Sequence, residues 1–328
     1  MAKTRIGTVI SWRNSSPGLA VFRLIPEGGA RFPEYKAGQY IALGRHDCRL
    51  TRKAPGNGHP PQYVPDLNVG GEQKRGMVTH AYSIASAPFE TETQGHLEFY
   101  VILERDAEGS LGRLTESMFR MDPTTDNQLT YFDTIKGEFT LERRCTGFDS
   151  VVFVGTGTGV APFVSMIKQL DFEAAAGQTD GVRYTLVHAN RTYEELDYRA
   201  EFAAIAAAQR FDFVYVPSVS RPTPRDLENP ALGKGRANNL LRHIFGMQVR
   251  EEQDVSEALA LGHDAAQAQQ ALQRTVMPAV PRNMALADLQ RRVRAPKTVI
   301  VTCGNPGSMA DIEYVAHAQQ AHFEKEDW

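Results

Sequence analysis

Residues 151–163 read Val-Val-Phe-Val-Gly-Thr-Gly-Thr-Gly-Val-Ala-Pro-Phe. Val151–Val154 is an apolar run without polar interruption, the pattern of a strand buried on both faces of a parallel sheet. Gly155, Gly157 and Gly159 then open a turn, and Pro162 sits where a first helical turn tolerates a residue without an N–H. In this order, the backbone can approach a phosphate closely, with free N–H groups and a positive helix end facing it. Such turns also occur for tight packing alone, so the stretch settles an α/β unit before it settles a ligand.

The same alternation continues downstream. Tyr184–His188, Phe211–Pro217 and Thr298–Thr302 are apolar strand candidates, and Pro162–Leu170, Tyr198–Ala208 and Ser308–Ala321 carry helical spacing. This predicts a doubly wound parallel sheet. Upstream of Ser150 the pattern changes to short β-branched or aromatic segments: Ile6–Trp12, Leu19–Leu24, Gln39–Leu43, Ala81–Ser86, His96–Leu103 and Leu129–Phe132. Gly, Pro, Asn and Asp clusters separate them, as in a barrel or sandwich. The expected domains are therefore 1–147 and 148–328.

Two stretches fit neither pattern. Thr51–Val78 has four prolines and five glycines and reads as a surface excursion between strands. Val249–Pro296 begins rich in Ala, Gln, Glu and Leu, is broken by Pro278 and Pro281, and ends in a basic segment. It reads as an inserted helical pair on the domain surface.

Composition narrows the classes. The 328 residues suffice for two cores, and 36 Lys plus Arg against 39 Asp plus Glu leave a net charge of -3. That excludes a basic nucleic-acid footprint over the whole chain. No apolar run approaches the roughly 20 residues of a bilayer span, and Met1–Arg13 reads as a strand instead of a signal peptide. Cys48, Cys145 and Cys303 are too few for a disulfide framework or a four-thiolate iron–sulfur cluster. A reducing, cytoplasmic setting is expected.

Three further motifs look ordinary alone. His80-Ala81-Tyr82-Ser83-Ile84-Ala85-Ser86 is an alternating strand, Cys303-Gly304-Asn305-Pro306 is a strand end and turn, and Trp328 is an aromatic terminus. Together with the glycine turn, in this order, they resemble the bacterial two-domain ferredoxin–NADP+ reductases. The resemblance covers nearly the whole chain apart from the two irregular stretches. It includes Ala37-Gly38-Gln39-Tyr40, Leu97-Glu98-Phe99-Tyr100-Val101 and Lys136-Gly137-Glu138-Phe139.

That resemblance implies an antiparallel six-stranded Greek-key β-barrel that binds FAD, followed by a doubly wound parallel-sheet domain that binds NADP. It places Tyr82 against the flavin and Ser83 near its N5, with His80 and Ala81 beside them. Backbone groups of Phe99, Tyr100 and Val101 meet the isoalloxazine edge. Ser110, Gly112, Thr115 and Thr158 also belong to the FAD site, and Trp328 shields either the isoalloxazine or the adenine. NADP falls to Gly155, Thr156, Gly157, Thr158, Gly159 and Pro162, with Cys303, Gly304, Asn305 and Pro306 at the nicotinamide. Arg191, Arg221 and Arg236 follow successive strands at places where the family binds the 2′-phosphate. No acidic residue is read at a place that would favour the ribose 2′-hydroxyl of NAD.

The implied catalytic residues are Ser83, Tyr82 and Cys303, and no metal is implied. Two departures stand out: His80 where the family has Arg, and Gly112 where Ser is common, with Arg105 or Arg113 as compensation. Glu324 and Glu326 read as surface charge or a proton relay. The implied reaction passes a hydride from NADPH to FAD, then single electrons to a separate acidic carrier, ferredoxin or flavodoxin. Arg52, Lys53, Lys74, Arg75 and Arg291–Lys297 are candidate docking cations. The alternatives are an NADH-preferring reductase component of an oxygenase, a flavin reductase, and a regulatory module without turnover.

Overall fold

The computed structural model describes residues 3–55, 63–106, 109–122, 124–294 and 296–326. The chain divides into two compact units, Met1–Gly137 and Glu138–Trp328.

The first unit holds β1 (Thr4–Ser16), β2 (Leu19–Pro26), β3 (Tyr40–Arg49), β4 (Thr51–Lys53), β5 (Tyr63–Pro65), β6 (Arg75–Ser83), β7 (Leu97–Ile102) and β8 (Gln128–Phe132). Its helices are α1 (Pro88–Gln94) and α2 (Arg113–Phe119). Six strands form an antiparallel sheet in the order β6-β3-β8-β1-β2-β7. The two outer strands are drawn together where the Ala85 N–H donates to the Glu98 carbonyl, 2.8 Å away. The inward residues of these strands form the core, among them Phe22, Leu24, Ile41, Leu43, Phe99 and Tyr131. Phe22 and Phe99 stack at 5.1 Å. All six strands overlap expected segments, although β6 shares only Ala81–Ser83 with the expected Ala81–Ser86. The irregular stretch is shorter than the sequence suggested, because Arg75–Val78 already belongs to β6 while β4 and β5 pair as a small separate hairpin.

The second unit carries β9 (Ser150–Thr156), β10 (Arg183–Asn190), β11 (Phe213–Val219), β12 (Gly233–Lys234), β13 (Thr298–Cys303) and β14 (His322–Lys325). They form a parallel sheet in the order β12-β11-β10-β9-β13-β14. The helices are α3 (Leu141–Arg144), α4 (Ala161–Ala175), α5 (Arg199–Ala208), α6 (Pro224–Glu228), α7 (Ala237–Phe245), α8 (Arg250–Ala260), α9 (Ala266–Arg274), α10 (Leu286–Val293) and α11 (Pro306–Ala318). From β9 the chain winds outward to β12, then returns to the other side of β9 as β13. The crevice beyond the carboxyl end of β9 is therefore the switch point where α/β sheets bind ligands. Val152 and Val154 pack with α7, α10 and α11, while Phe153 stacks on Phe163 of α4 at 4.7 Å. Burial on both faces accounts for the uninterrupted apolar run.

Three boundaries differ from the sequence reading. Residues 138–147, expected with the barrel, fall in the second unit: Phe139 lies 5.8 Å from Phe163, and Arg144 pairs with Glu324 at 2.6 Å. The stretch 249–296 is an inserted pair only in α8 and α9. Helix α10 is a crossover helix whose Leu289 and Val293 lie in the sheet core. Strand β14 was not anticipated, since His322-Phe-Glu-Lys325 carries too little apolar character to announce one. Among the described residues, no helix is long and apolar enough to cross a membrane.

Candidate functional site

In the first unit the site is built at the end of β6. Tyr82 faces Ile41 and Ser83 faces Tyr40 across the β3 ladder. Tyr82 is half-buried against the barrel core, and burial, with the charge of Glu104, pushes its hydroxyl far above its usual range, so it stays protonated. Ser83 is buried, and its Oγ has no hydrogen-bond partner among the described residues. An enclosed, unpaired hydroxyl costs about 1–3 kcal/mol, so its position calls for an explanation.

The backbone that aims these two residues is tied down on three sides. The Ile84 N–H donates to the Gln39 carbonyl (3.0 Å), and Gln39 Nε2 donates to the Gly137 carbonyl (2.9 Å). The Tyr35 hydroxyl donates to the Ser86 carbonyl (2.9 Å), and Ser86 Oγ accepts the Glu98 N–H (3.0 Å). Sequence reasoning missed Tyr35, whose spacing from Ser86 gives no local signal. Phe99, Tyr100 and Val101 are buried in β7, the last strand of the sheet. His80 and Ala81 are exposed.

The expected pyrophosphate loop is more self-contained than the sequence suggested. Thr115 Oγ1 accepts the Glu104 N–H (3.2 Å) and donates to the Gly112 carbonyl (3.3 Å). A Cβ at Gly112 would lie 2.8 Å from Thr115 Oγ1 and from Glu104 Cβ, so packing alone explains glycine there. Ser110 is exposed, its N–H held by Asp106 at 2.7 Å, and Arg105 reaches the Gly109 carbonyl at 3.3 Å.

In the second unit, the loops after β9 and β13 interlock. Cys303 sits beside Gly155 in the parallel register. A Cβ on Gly159 would lie 2.5 Å from the Cys303 carbonyl carbon; one on Gly304, at φ +134°, would lie 2.6 Å from the Thr156 carbonyl oxygen. The Asn305 N–H donates to Thr156 Oγ1 (2.9 Å), and Asn305 Oδ1 caps α11 at the Ser308 N–H (3.1 Å). Two of the motif glycines thus serve loop-on-loop packing. Gly157 is different: its φ is +57° and nothing lies within 4 Å of a Cβ built on it. It leaves open the approach to the start of α4, where Pro162 occupies the first turn. Cys303 is a buried thiol, and Thr158 and Pro306 flank the two turns.

Arg191, Arg221 and Arg236 follow β10, β11 and β12. Their loops adjoin, because the Arg221 N–H donates to the Arg191 carbonyl (2.8 Å) and the Gly235 N–H to the Val219 carbonyl (2.9 Å). The side chains have different surroundings. Arg191 is gripped by Glu195, an acid the sequence reading overlooked, at 2.6 and 2.8 Å. Arg236 lines a cavity of about 430 Å³ with Arg250, Glu251, Asn305 and Ser308, to which neither of the other two contributes.

Two further expectations change. Glu326 is buried, with its N–H on the Thr302 carbonyl (3.1 Å), so it is no surface charge; Glu324 pairs with Arg144 and His322. Of the basic segment, Arg292 is committed to Asp212 (2.6 Å) and Arg294 to the Phe245 carbonyl (2.5 Å). Trp328 lies outside the described residues. Among those residues, no group of three or more His, Cys, Asp or Glu is placed to hold a metal ion.

Residues 153–255 match the oxidoreductase NAD-binding domain family. No curated protein matches the chain. A ferredoxin NADP+ reductase from Neisseria gonorrhoeae, solved with bound FAD and NADP, is 20% identical over 99% of both chains, with a TM-score of 0.59. The cytochrome b5 reductase domain of Ulva prolifera nitrate reductase is 15% identical, over 99% of this chain and 97% of that one, with a TM-score of 0.55. A flavohemoglobin from Malassezia yamatoensis with bound FAD and heme is 10% identical, and the match covers 99% of this chain and 60% of that one at a TM-score of 0.58. At these identities the likeness establishes the architecture. The chain has the two-domain fold of the ferredoxin–NADP+ reductase type, a six-stranded antiparallel barrel sheet followed by a six-stranded parallel α/β unit.

Proposed function

We propose that this chain is a flavoprotein oxidoreductase that takes a hydride from NADPH and delivers electrons to a separate one-electron carrier protein. The observation that carries the reading is Ser83, a buried hydroxyl with no partner among the described residues, beside a half-buried tyrosine at the end of a barrel strand. A bound ligand that hydrogen-bonds there would satisfy it.

The residues present fit FAD. Tyr82 offers a ring face, Ser83 a hydroxyl, and β7 an outer-strand backbone. When bound, FAD supplies the hydride-accepting ring system and its capacity to release electrons one at a time. Ser83 contributes a hydrogen bond at the reacting edge, and the protonated Tyr82 adds no charge there. In the second unit, the open approach at Gly157 and the start of α4 receive the dinucleotide pyrophosphate. Cys303 offers a compact, polarisable wall for the nicotinamide. Both units therefore orient rings and exclude water, and no side chain needs to act as nucleophile.

The likeness to the Neisseria reductase supports ferredoxin as the acceptor, while the likeness to a cytochrome b5 reductase domain keeps a heme protein as the second reading. The test is the colour and reduction of the purified chain. It should retain FAD through gel filtration and be bleached faster by NADPH than by NADH, and Ser83→Ala should keep the flavin but slow bleaching at least tenfold (about 1.4 kcal/mol in the barrier). Equal rates with both nucleotides would contradict the NADP assignment.

A further inference from the structure

Two of the three arginines assigned to a 2′-phosphate come with a carboxylate of their own. Arg191 gives Nη2 and Nε to Glu195 at 2.6 and 2.8 Å, and the Glu195 side chain is only 8% exposed. Arg236 gives Nη1 to Glu251 at 3.4 Å; that side chain is also 8% exposed and accepts a second bond from Asn239 Nδ2 at 2.7 Å. Arg221 is exposed, and among the described residues its guanidinium makes no hydrogen bond or ion pair. Three cations and two carboxylates leave the set one charge positive, where the arginines alone would give three.

Resting on the reading of the second unit as a dinucleotide site, we propose that Glu195 and Glu251 are specificity-determining residues that hold Arg191 and Arg236 back from the 2′-phosphate. Discrimination between NADPH and NADH then rests on Arg221 and is small. The Arg191 fork, filled by one carboxylate, has few donors left in the same plane for a phosphate. The carboxylate also repels the incoming dianion, and its burial weakens the screening of that repulsion.

The second pair is looser, one 3.4 Å contact from an exposed arginine, and acts by neutralisation. Glu251 stands near the start of α8, in the inserted helical pair, and lines with Arg236 the cavity between α7, α8 and α11. Asn239 holds Glu251 from α7, so the carboxylate is fixed before any ligand arrives. The insertion, which the fold does not need for its sheet, thereby edits the chemistry of a neighbouring strand end.

Calorimetric titration of the purified chain with adenosine 2′,5′-bisphosphate and with 5′-AMP tests this without turnover. The native chain should favour the bisphosphate by less than about tenfold, and Arg221→Ala should remove the preference. Glu195→Gln and Glu251→Gln keep size and polarity and should each raise the preference about three- to tenfold, on the scale of a single weakly screened charge. A purely structural role would move both affinities together and leave their ratio unchanged. An unchanged ratio in both glutamine variants, with Arg191→Ala abolishing the preference, would overturn the proposal while sparing the dinucleotide site. Failure of the native chain to bind either nucleotide would overturn both.

Discussion

Ser83 holds a buried hydroxyl with no hydrogen-bond partner among the described residues. Removing it relieves a desolvation cost, so Ser83→Ala should stabilise the flavin-free chain by about 1 kcal/mol in urea unfolding while it slows reduction of the flavin-loaded chain. Stability and activity moving in opposite directions is the mark of a functional group and not of a packing one. His188 in β10 poses a different case. It is fully buried, with Nδ1 against the Tyr215 hydroxyl at 3.1 Å, and burial, reinforced by Arg199, lowers its pKa from 6.5 to about 3. The unfolded chain therefore takes up this proton before the folded chain does. Stability is complete above pH 6.5 and is lost as pH falls toward 3, by about 2 kcal/mol at pH 5. Comparing urea midpoints at pH 7 and pH 5 checks this, and His188→Leu should flatten the difference over that window. At Gly304, positive φ and the nearby Thr156 backbone both exclude a side chain. Gly304→Ala should cost about 3 kcal/mol and also loosen the Asn305–Thr156 bond, which a lowered Tm would report.

Among the elements, α7 and α11 are joined by a buried ion pair. Arg242 gives Nε and Nη2 to Asp311 at 2.9 and 2.5 Å, and its Nη1 reaches Gln253 Oε1 at 2.8 Å. Asp311→Ala strands a buried guanidinium and should cost about 3–5 kcal/mol, measured by denaturant unfolding. The pair also explains what the sequence could not announce, since its partners are far apart and neither stands in a motif. The strands were legible because their apolar patterns are strong: Val151–Val154 reads as buried on both faces, and it is. Strand β14 was hidden because one apolar residue, Phe323, stands among polar ones, and its existence depends on pairing with β13. Helix α10 was misread as insertion because arginines crowd its sequence, while Leu289 and Val293, four residues apart, do the packing. At the candidate site, the glycines were legible as glycines but not as to purpose. Gly159 and Gly304 answer to loop packing and Gly157 to open space, a distinction that only the folded backbone makes.

For the molecule as a whole, the small net charge of -3 conceals local commitments. Most of the expected docking cations are occupied: Lys74 by Asp66 at 3.0 Å, Arg75 by Asp47 at 3.6 Å, and Arg292 by Asp212. Arg52 and Lys53, exposed on β4, have no ion pair among the described residues. Reversing both to Glu should slow electron delivery to an acidic carrier several-fold at low ionic strength and hardly at all in high salt, while NADPH oxidation with a small-molecule acceptor stays unchanged. Stopped-flow reduction of the carrier at two salt concentrations measures this. The central claim, that the barrel and the α/β unit serve one hydride transfer, is tested most directly by anaerobic titration of the FAD-loaded chain with NADPH and then with oxidised ferredoxin. Loss of the flavin absorbance with NADPH, and its return on adding the carrier, is the predicted result. A chain that retains no flavin, or a bound flavin whose absorbance NADPH leaves unchanged, would contradict it.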